Sequence, residues 1–195
     1  EKLEDSRFVV FTPFIPMISL GEVFIVEKEQ IKVLKVSLPR IMNVLANYGI
    51  MLWGNMNYNY NQNTKGFSND ASINRISYKE RGWSSPNLVG YMESHDEERL
   101  MYNNLQSGNS NTTYNVRDLN TALSRQELAG MFFFTIPGPK MIWQFGELGY
   151  DVSINDPGRV DRKPIRWEYF DNANRKQIYN TWATLNAFKQ QQPVF

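Results

Sequence analysis

Residues 88–96 read Leu-Val-Gly-Tyr-Met-Glu-Ser-His-Asp, and Glu97, Glu98, Arg99 and Leu100 follow directly. The apolar run Leu88 to Met92 suits a short strand buried on both faces, as in a parallel sheet. Behind it comes the only dense cluster of ionisable groups in the chain: Glu93, His95, Asp96, Glu97, Glu98 and Arg99. In a continuing strand, Glu93, His95 and Glu97 would face away from Asp96, so a one-sided cluster requires the strand to have ended. On residue types alone the plainest reading is a charged strand-to-loop junction at the surface.

Working outward, Ile50 to Trp53 and Met141 to Trp143 are two further short apolar runs of the buried-strand kind. Gly54 to Asn87 is dense in Asn, Tyr, Ser and Gly and predicts mostly loop with a short helix. Another polar loop is expected over Ser107 to Asn115. Asp118 or Asn120 is suited to cap a helix running to about Phe133, with Leu119, Leu123, Leu128, Met131 and Phe132 on its apolar side. Ile136-Pro137-Gly138-Pro139 ends that helix, because proline and the residue before it fit poorly in a helix interior. A last helix is predicted over about Asn172 to Gln190, presenting Ile178, Trp182, Leu185 and Phe188. Short buried strands alternating with helices predict an α/β chain with a parallel sheet covered by helices. In barrels of this kind the chemistry sits in the loops after the strands' C-terminal ends.

Composition sets the outer bounds. The chain has 195 residues, 42% hydrophobic and 21% charged, a globular balance with room for a core. With 21 basic and 20 acidic residues the net charge is +1, and no basic stripe invites nucleic acid or an anionic membrane. There is no cysteine and one histidine, which excludes disulfides, thiol catalysis and any site needing two imidazoles. No stretch approaches the ~20 apolar residues of a membrane span, and no signal-peptide pattern opens the chain. Every Trp and Tyr lies at or after Tyr48, and Asn43 is the first asparagine. Residues 1–43, rich in Val, Ile, Glu and Lys, therefore read as an atypical N-terminal segment, either divergent or the product of a shifted reading frame. Residues 44–195 read as a separate design.

Four segments of that second part, in order, resemble the α-amylase superfamily of glycoside hydrolases. YMESHDEERL resembles its strand closing on a His-Asp pair. FFFTIPGPKMIWQFGELGYD resembles its later helix end, Gly-x-Pro turn, short strand and Gly-Glu. KPIRW and RKQIYNTWATLNAFKQQQPVF resemble the segments that follow, ending on the last barrel helix. GIMLWGNMNYNYNQ and RGWSSPNLVGYMESHDEERL are similar to a bacterial subgroup.

The resemblance implies a partial (β/α)8 TIM barrel, from about strand 5 or 6 to helix 8. It implies retaining hydrolysis of α-glucosidic bonds in starch-like glucans. That chemistry uses a nucleophile and an acid about 5 Å apart, with a third carboxylate favouring the oxocarbenium-like state. Asp96 matches the third carboxylate, the transition-state stabiliser. His95 matches the neighbouring donor to a sugar hydroxyl. Arg99 is a candidate for orienting Asp96 or holding the loop, set against an ordinary surface ion pair with Glu97 or Glu98. Gln144 and Glu147 would line the catalytic face, and Trp53, Tyr58, Trp83 and Trp143 are candidates for stacking on sugars. Gly21-Glu22-Val23-Phe24 resembles the general-acid motif, which makes Glu22 the candidate acid; its bland reading is a strand-end glutamate.

The family's Gly-x-Arg-x-Asp nucleophile motif and its Asp-x-x-x-Asn-His motif are absent. The expectation is that the chain begins downstream of them and is inactive alone. No cofactor is expected in this chain. Calcium is an expectation for a full-length parent, and a secreted, periplasmic or cell-surface setting is an expectation from polymeric substrate. A non-catalytic carbohydrate-binding module is the alternative, and a protein-interaction or structural domain the third reading.

Overall fold

The computed structural model describes residues 8–13, 21–26, 52–192 and 194. Two strands, β1 (Phe8–Pro13) and β2 (Gly21–Val26), form an antiparallel hairpin with Phe8 opposite Val26 and Thr12 opposite Glu22. A separate parallel sheet has the order β3 (Leu52–Asn55), β4 (Leu88–Tyr91), β5 (Lys140–Met141). Gly54 pairs with Gly90, and Gly90 with Lys140. Gly90 is required here, because a Cβ would come within 2.8 Å of Ile76 Cδ1, which packs onto the strand. The α/β character expected from the alternation of apolar runs is therefore present.

Four helices accompany the sheet: α1 (Asn57–Lys65), α2 (Leu100–Ser107), α3 (Leu119–Phe134) and α4 (Ala173–Gln191). Helix α1 occupies a stretch read mostly as loop, since asparagine is a poor helix former. Tertiary contacts override that propensity. Asn57, Tyr60, Asn61 and Thr64 fall on one buried face, and Gly66 (φ 84°) closes the helix in the left-handed conformation. A ladder of amides runs along the face: Asn61 Nδ2 donates to Asn57 Oδ1 at 2.7 Å, and Asn103 Nδ2 of α2 donates to Asn61 Oδ1 at 2.9 Å.

Asp118 caps α3 by accepting the Thr121 N–H at 3.0 Å, and Asn172 caps α4 by accepting from Asn174 and Arg175. The expected apolar side of α3 needs correction. Leu128, Met131 and Phe132 are exposed, while Ala122, Leu123, Gln126, Gly130 and Phe133 face inward. The inward set keeps the spacing of one helical face, whereas the exposed trio lies round the cylinder from Leu123. Gly130 admits the Trp182 indole of α4 so closely that a Cβ there would overlap it. On α4, Ile178 and Trp182 are buried as expected, but Phe188 is exposed.

The main core joins Met92, beyond β4, to Tyr60, Leu100, Met101, Leu123, Phe133 and Trp182 of the helices. A second cluster, Phe145, Leu148, Tyr150 and Val152, packs in the chain after β5. Among the described residues no helix is long and apolar enough to cross a membrane.

Candidate functional site

The three parallel strands deliver their C-terminal ends to one place. Strand β4 stops at Tyr91, so the acidic cluster lies on a loop and its side chains are free of strand alternation. From the β3 end, Asn55 Nδ2 donates to the Glu97 carboxylate, and Asn57 Nδ2 donates to the Met92 carbonyl at 2.8 Å and the Glu98 carbonyl at 3.1 Å. Beyond β5, Trp143 brings its ring to 5.6 Å from the His95 ring, at 47°.

Each acid of the cluster has a separate task. Glu93 turns inward, 5% exposed, and its Oε1 accepts the Leu100 N–H at 2.6 Å, satisfying the first turn of α2. Glu97 also accepts from Ser94 Oγ. Glu98 accepts from Ser153 Oγ at 2.7 Å and from the Ile154 N–H at 2.8 Å, tying the loop to the segment beyond β5. Arg99 corrects the surface-pair expectation. It is 1% exposed, and its Nη1 donates to the backbone carbonyls of Ser94 and Glu97 from beneath the loop. A guanidinium suits this place because Nη1 carries two N–H groups and serves both carbonyls from one nitrogen.

What remains outside is the pair expected to meet substrate. His95 and Asp96 side chains are 70% and 69% exposed, with Nε2 and Oδ2 3.4 Å apart. The Asp96 backbone is held from both sides: its N–H donates to Ser94 Oγ at 3.1 Å, and its carbonyl accepts from Arg159 Nη2 at 2.8 Å. A carboxylate, an imidazole and an indole thus present acceptors, a ring N–H and an apolar face side by side. Such a set can grip vicinal hydroxyls over a flat apolar surface.

Burial dominates the electrostatics underneath. Desolvation pushes the Glu93 carboxyl up to about 7, against the Leu100 N–H and the Arg99 charge, while the Glu147 and Glu98 charges add to the rise. Burial likewise raises Glu147.

Other candidates are dispersed. Gln144 is exposed on the turn after β5, where it lines a cleft of about 450 Å³ with Trp143, Glu147 and Trp182. Trp83 precedes the N-terminal end of β4, opposite the Asp96 end, with the Arg81 guanidinium 5.6 Å from its ring centre. Tyr58, 61% exposed, donates to Asp70 at 3.5 Å. Glu22 is the second residue of β2, in the hairpin and not in the parallel sheet; its side chain and that of Trp53 lie outside the described residues. Asn55, Ser153 and Arg159 were not foreseen as supports, and only Asn55's place behind an apolar run hinted at it. Among the described residues no group of three or more His, Cys, Asp or Glu side chains is arranged to hold a metal ion.

No family model matches the chain, and no curated protein matches it.

Proposed function

We propose that this chain is the C-terminal half of an α-amylase-type (β/α)8 catalytic barrel acting on α-glucosidic bonds of starch-like glucans. Asp96 is its transition-state-stabilising carboxylate and His95 its sugar-hydroxyl donor. The observation that carries the reading is the meeting of His95, Asp96 and Trp143 at the C-terminal ends of parallel strands, the end where barrel enzymes hold their substrates. An ionised Asp96 stabilises positive charge developing at the sugar ring, and contributes most when bound substrate excludes water. Trp143 offers the ring face, and Gln144 and Glu147 flank it.

The test is a maltooligosaccharide titration followed through the imidazole signal of His95, the chain's one histidine. Saturable displacement by maltooligosaccharide, lost in Asp96→Ala and absent with a β-linked glucan, supports the reading. An imidazole signal that ignores the α-glucan overturns it.

A non-catalytic carbohydrate-binding module is the second reading, favoured by the missing Gly-x-Arg-x-Asp motif. Coding sequence upstream separates the two: the enzyme reading requires that motif in a strand context.

A further inference from the structure

We propose that Glu93 is the positioning residue of the site, holding the Ser94–Arg99 loop in the shape that sets His95 and Asp96. For the part Asp96 plays in glycoside chemistry this rests on the reading above; the mechanical claim does not.

The loop leaves β4 at Tyr91 and re-enters regular structure at Leu100, and Glu93 closes it by bonding the Leu100 N–H at 2.6 Å. Helix α2 has no side-chain cap from its own N-cap residue, Arg99, so the Glu93 carboxylate takes over that duty from seven residues upstream. Inside the closed loop Arg99 bonds the carbonyls of Ser94 and Glu97, the residues on either side of His95 and Asp96. Ser94 Oγ then receives the Asp96 N–H. The chain of contacts runs unbroken from Glu93 to Leu100, through Arg99 and Ser94, to Asp96.

Glu93 also reaches the turn beyond β5. Its Oε2 lies 3.0 Å from the position a Cβ on Gly146 would take, so that glycine makes room for the carboxyl. The charged groups acting on Glu93 are Arg99 and Glu98 from the loop and Glu147 from that turn. Protonating Glu93 leaves the oxygen bonded to Leu100 a weaker acceptor, because the bond ceases to be charge-assisted. The strength of the closure, and with it the environment of Asp96, therefore follows the charge on Glu93. The same turn carries Trp143 and Glu147, so one buried carboxyl registers both sides of the site.

The experiment follows backbone amides of the full chain by ¹⁵N correlation spectroscopy from pH 4.5 to 8.5, without sugar. It is done in a His95→Gln background, which removes the only imidazole. Leu100 and Asp96 are expected to shift with one common midpoint near pH 7. Adding Glu93→Gln, an isosteric change, should abolish that midpoint at both amides. Adding Glu147→Gln should move it down, because the Glu147 charge raises Glu93. A midpoint at Leu100 but not Asp96, its absence at both, or its survival in Glu93→Gln would overturn the proposal. If Glu93→Gln does not fold, Glu147→Gln decides alone: a downward move supports the proposal and an unmoved midpoint overturns it. No ligand is involved, so failure here leaves the maltooligosaccharide titration free to succeed, and the reverse.

Discussion

The imidazole of His95 and the indole of Trp143 stand 5.6 Å apart although one follows β4 and the other follows β5. Their meeting depends on the parallel register of the two strands, in which Tyr91 pairs with Met141. Trp143 itself lies past the end of β5, on the turn into which that strand leads, and its ring meets the imidazole from there. Trp143 is therefore expected to matter for sugar binding and Trp83 to be silent. Trp143→Ala should weaken maltooligosaccharide binding by roughly 1 kcal/mol, about fivefold, the usual scale for an aromatic contact. Trp83→Ala, at the far end of β4, should leave the titration unchanged. Equal losses in both variants would remove Trp143 from the site.

The turn behind Trp143 is fastened by Arg175 of α4. Its guanidinium, 6% exposed, pairs with Asp151 at 2.7 Å, donates to the Leu148 and Gly149 carbonyls and lies 3.8 Å over the Tyr169 ring. Removing Arg175 leaves the Leu148 and Gly149 carbonyls without their donor, while Asp151, partly exposed, keeps its bond from the Tyr169 hydroxyl. Arg175→Ala should cost about 1–3 kcal/mol, the scale for leaving buried acceptors unsatisfied, read as a fall in urea midpoint. Lys at the same position should rescue little, since it lacks the fork that serves both carbonyls and carboxylate. A loss under 1 kcal/mol would show the turn to be held elsewhere.

Glu93 gives stability a pH dependence with a definite sign. Its folded-state pKa is raised from 4.5 to about 7. Between those values the folded chain binds the proton that the unfolded chain has released. Stability from this group is then full below about pH 4.5 and is lost as pH rises through 7, on the order of 3 kcal/mol across the window. Glu93→Gln should flatten that slope in denaturant titrations at pH 4.5, 6 and 7.5. A slope identical to that of the parent chain would assign it to other groups.

A different buried group predicts a gain. Gln126 of α3 is wholly buried, and among the described residues neither end of its amide finds a hydrogen-bond partner. Burying an unpaired amide costs roughly 1–3 kcal/mol, so Gln126→Leu, close in volume, should raise the melting temperature. A fall would mean that ordered water satisfies the amide in solution.

The sequence made some of this legible and hid the rest for physical reasons. Asp118, Asn172 and the Pro137–Pro139 stop announce α3 and α4 because capping is local chemistry. The run Leu88 to Met92 announces β4, whose first three residues are buried, whereas β5 falls on half-buried Lys140 and Met141, one residue ahead of the expected run Met141 to Trp143. A short helix was expected within Gly54 to Asn87, but its place was not legible, because most of the buried face of α1 is Asn57, Asn61 and Thr64, held by amides and carbonyls. Helix α2 stayed hidden because its first N–H is satisfied by Glu93 across a loop and not by a neighbouring cap. Arg99 was misplaced for the same reason: its partners are backbone carbonyls, which no residue type reveals.

Starch turnover is the last expectation, and it is negative. Retaining cleavage needs a nucleophile and an acid on opposite sides of one bond, about 5 Å apart, and Asp96 fills neither role in the proposed scheme. The sequence holds no Gly-x-Arg-x-Asp, and the other acids of the loop that carries Asp96 are engaged, Glu97 and Glu98 by Asn55, Ser94, Ser153 and Ile154, and Glu93 by Leu100. The chain should therefore bind maltooligosaccharide without releasing reducing ends, measured by a reducing-sugar assay over a day at micromolar protein. Reducing-end release that disappears in Asp96→Ala would require a nucleophile that these residues do not reveal, and would turn the half-barrel proposal into one of a complete enzyme.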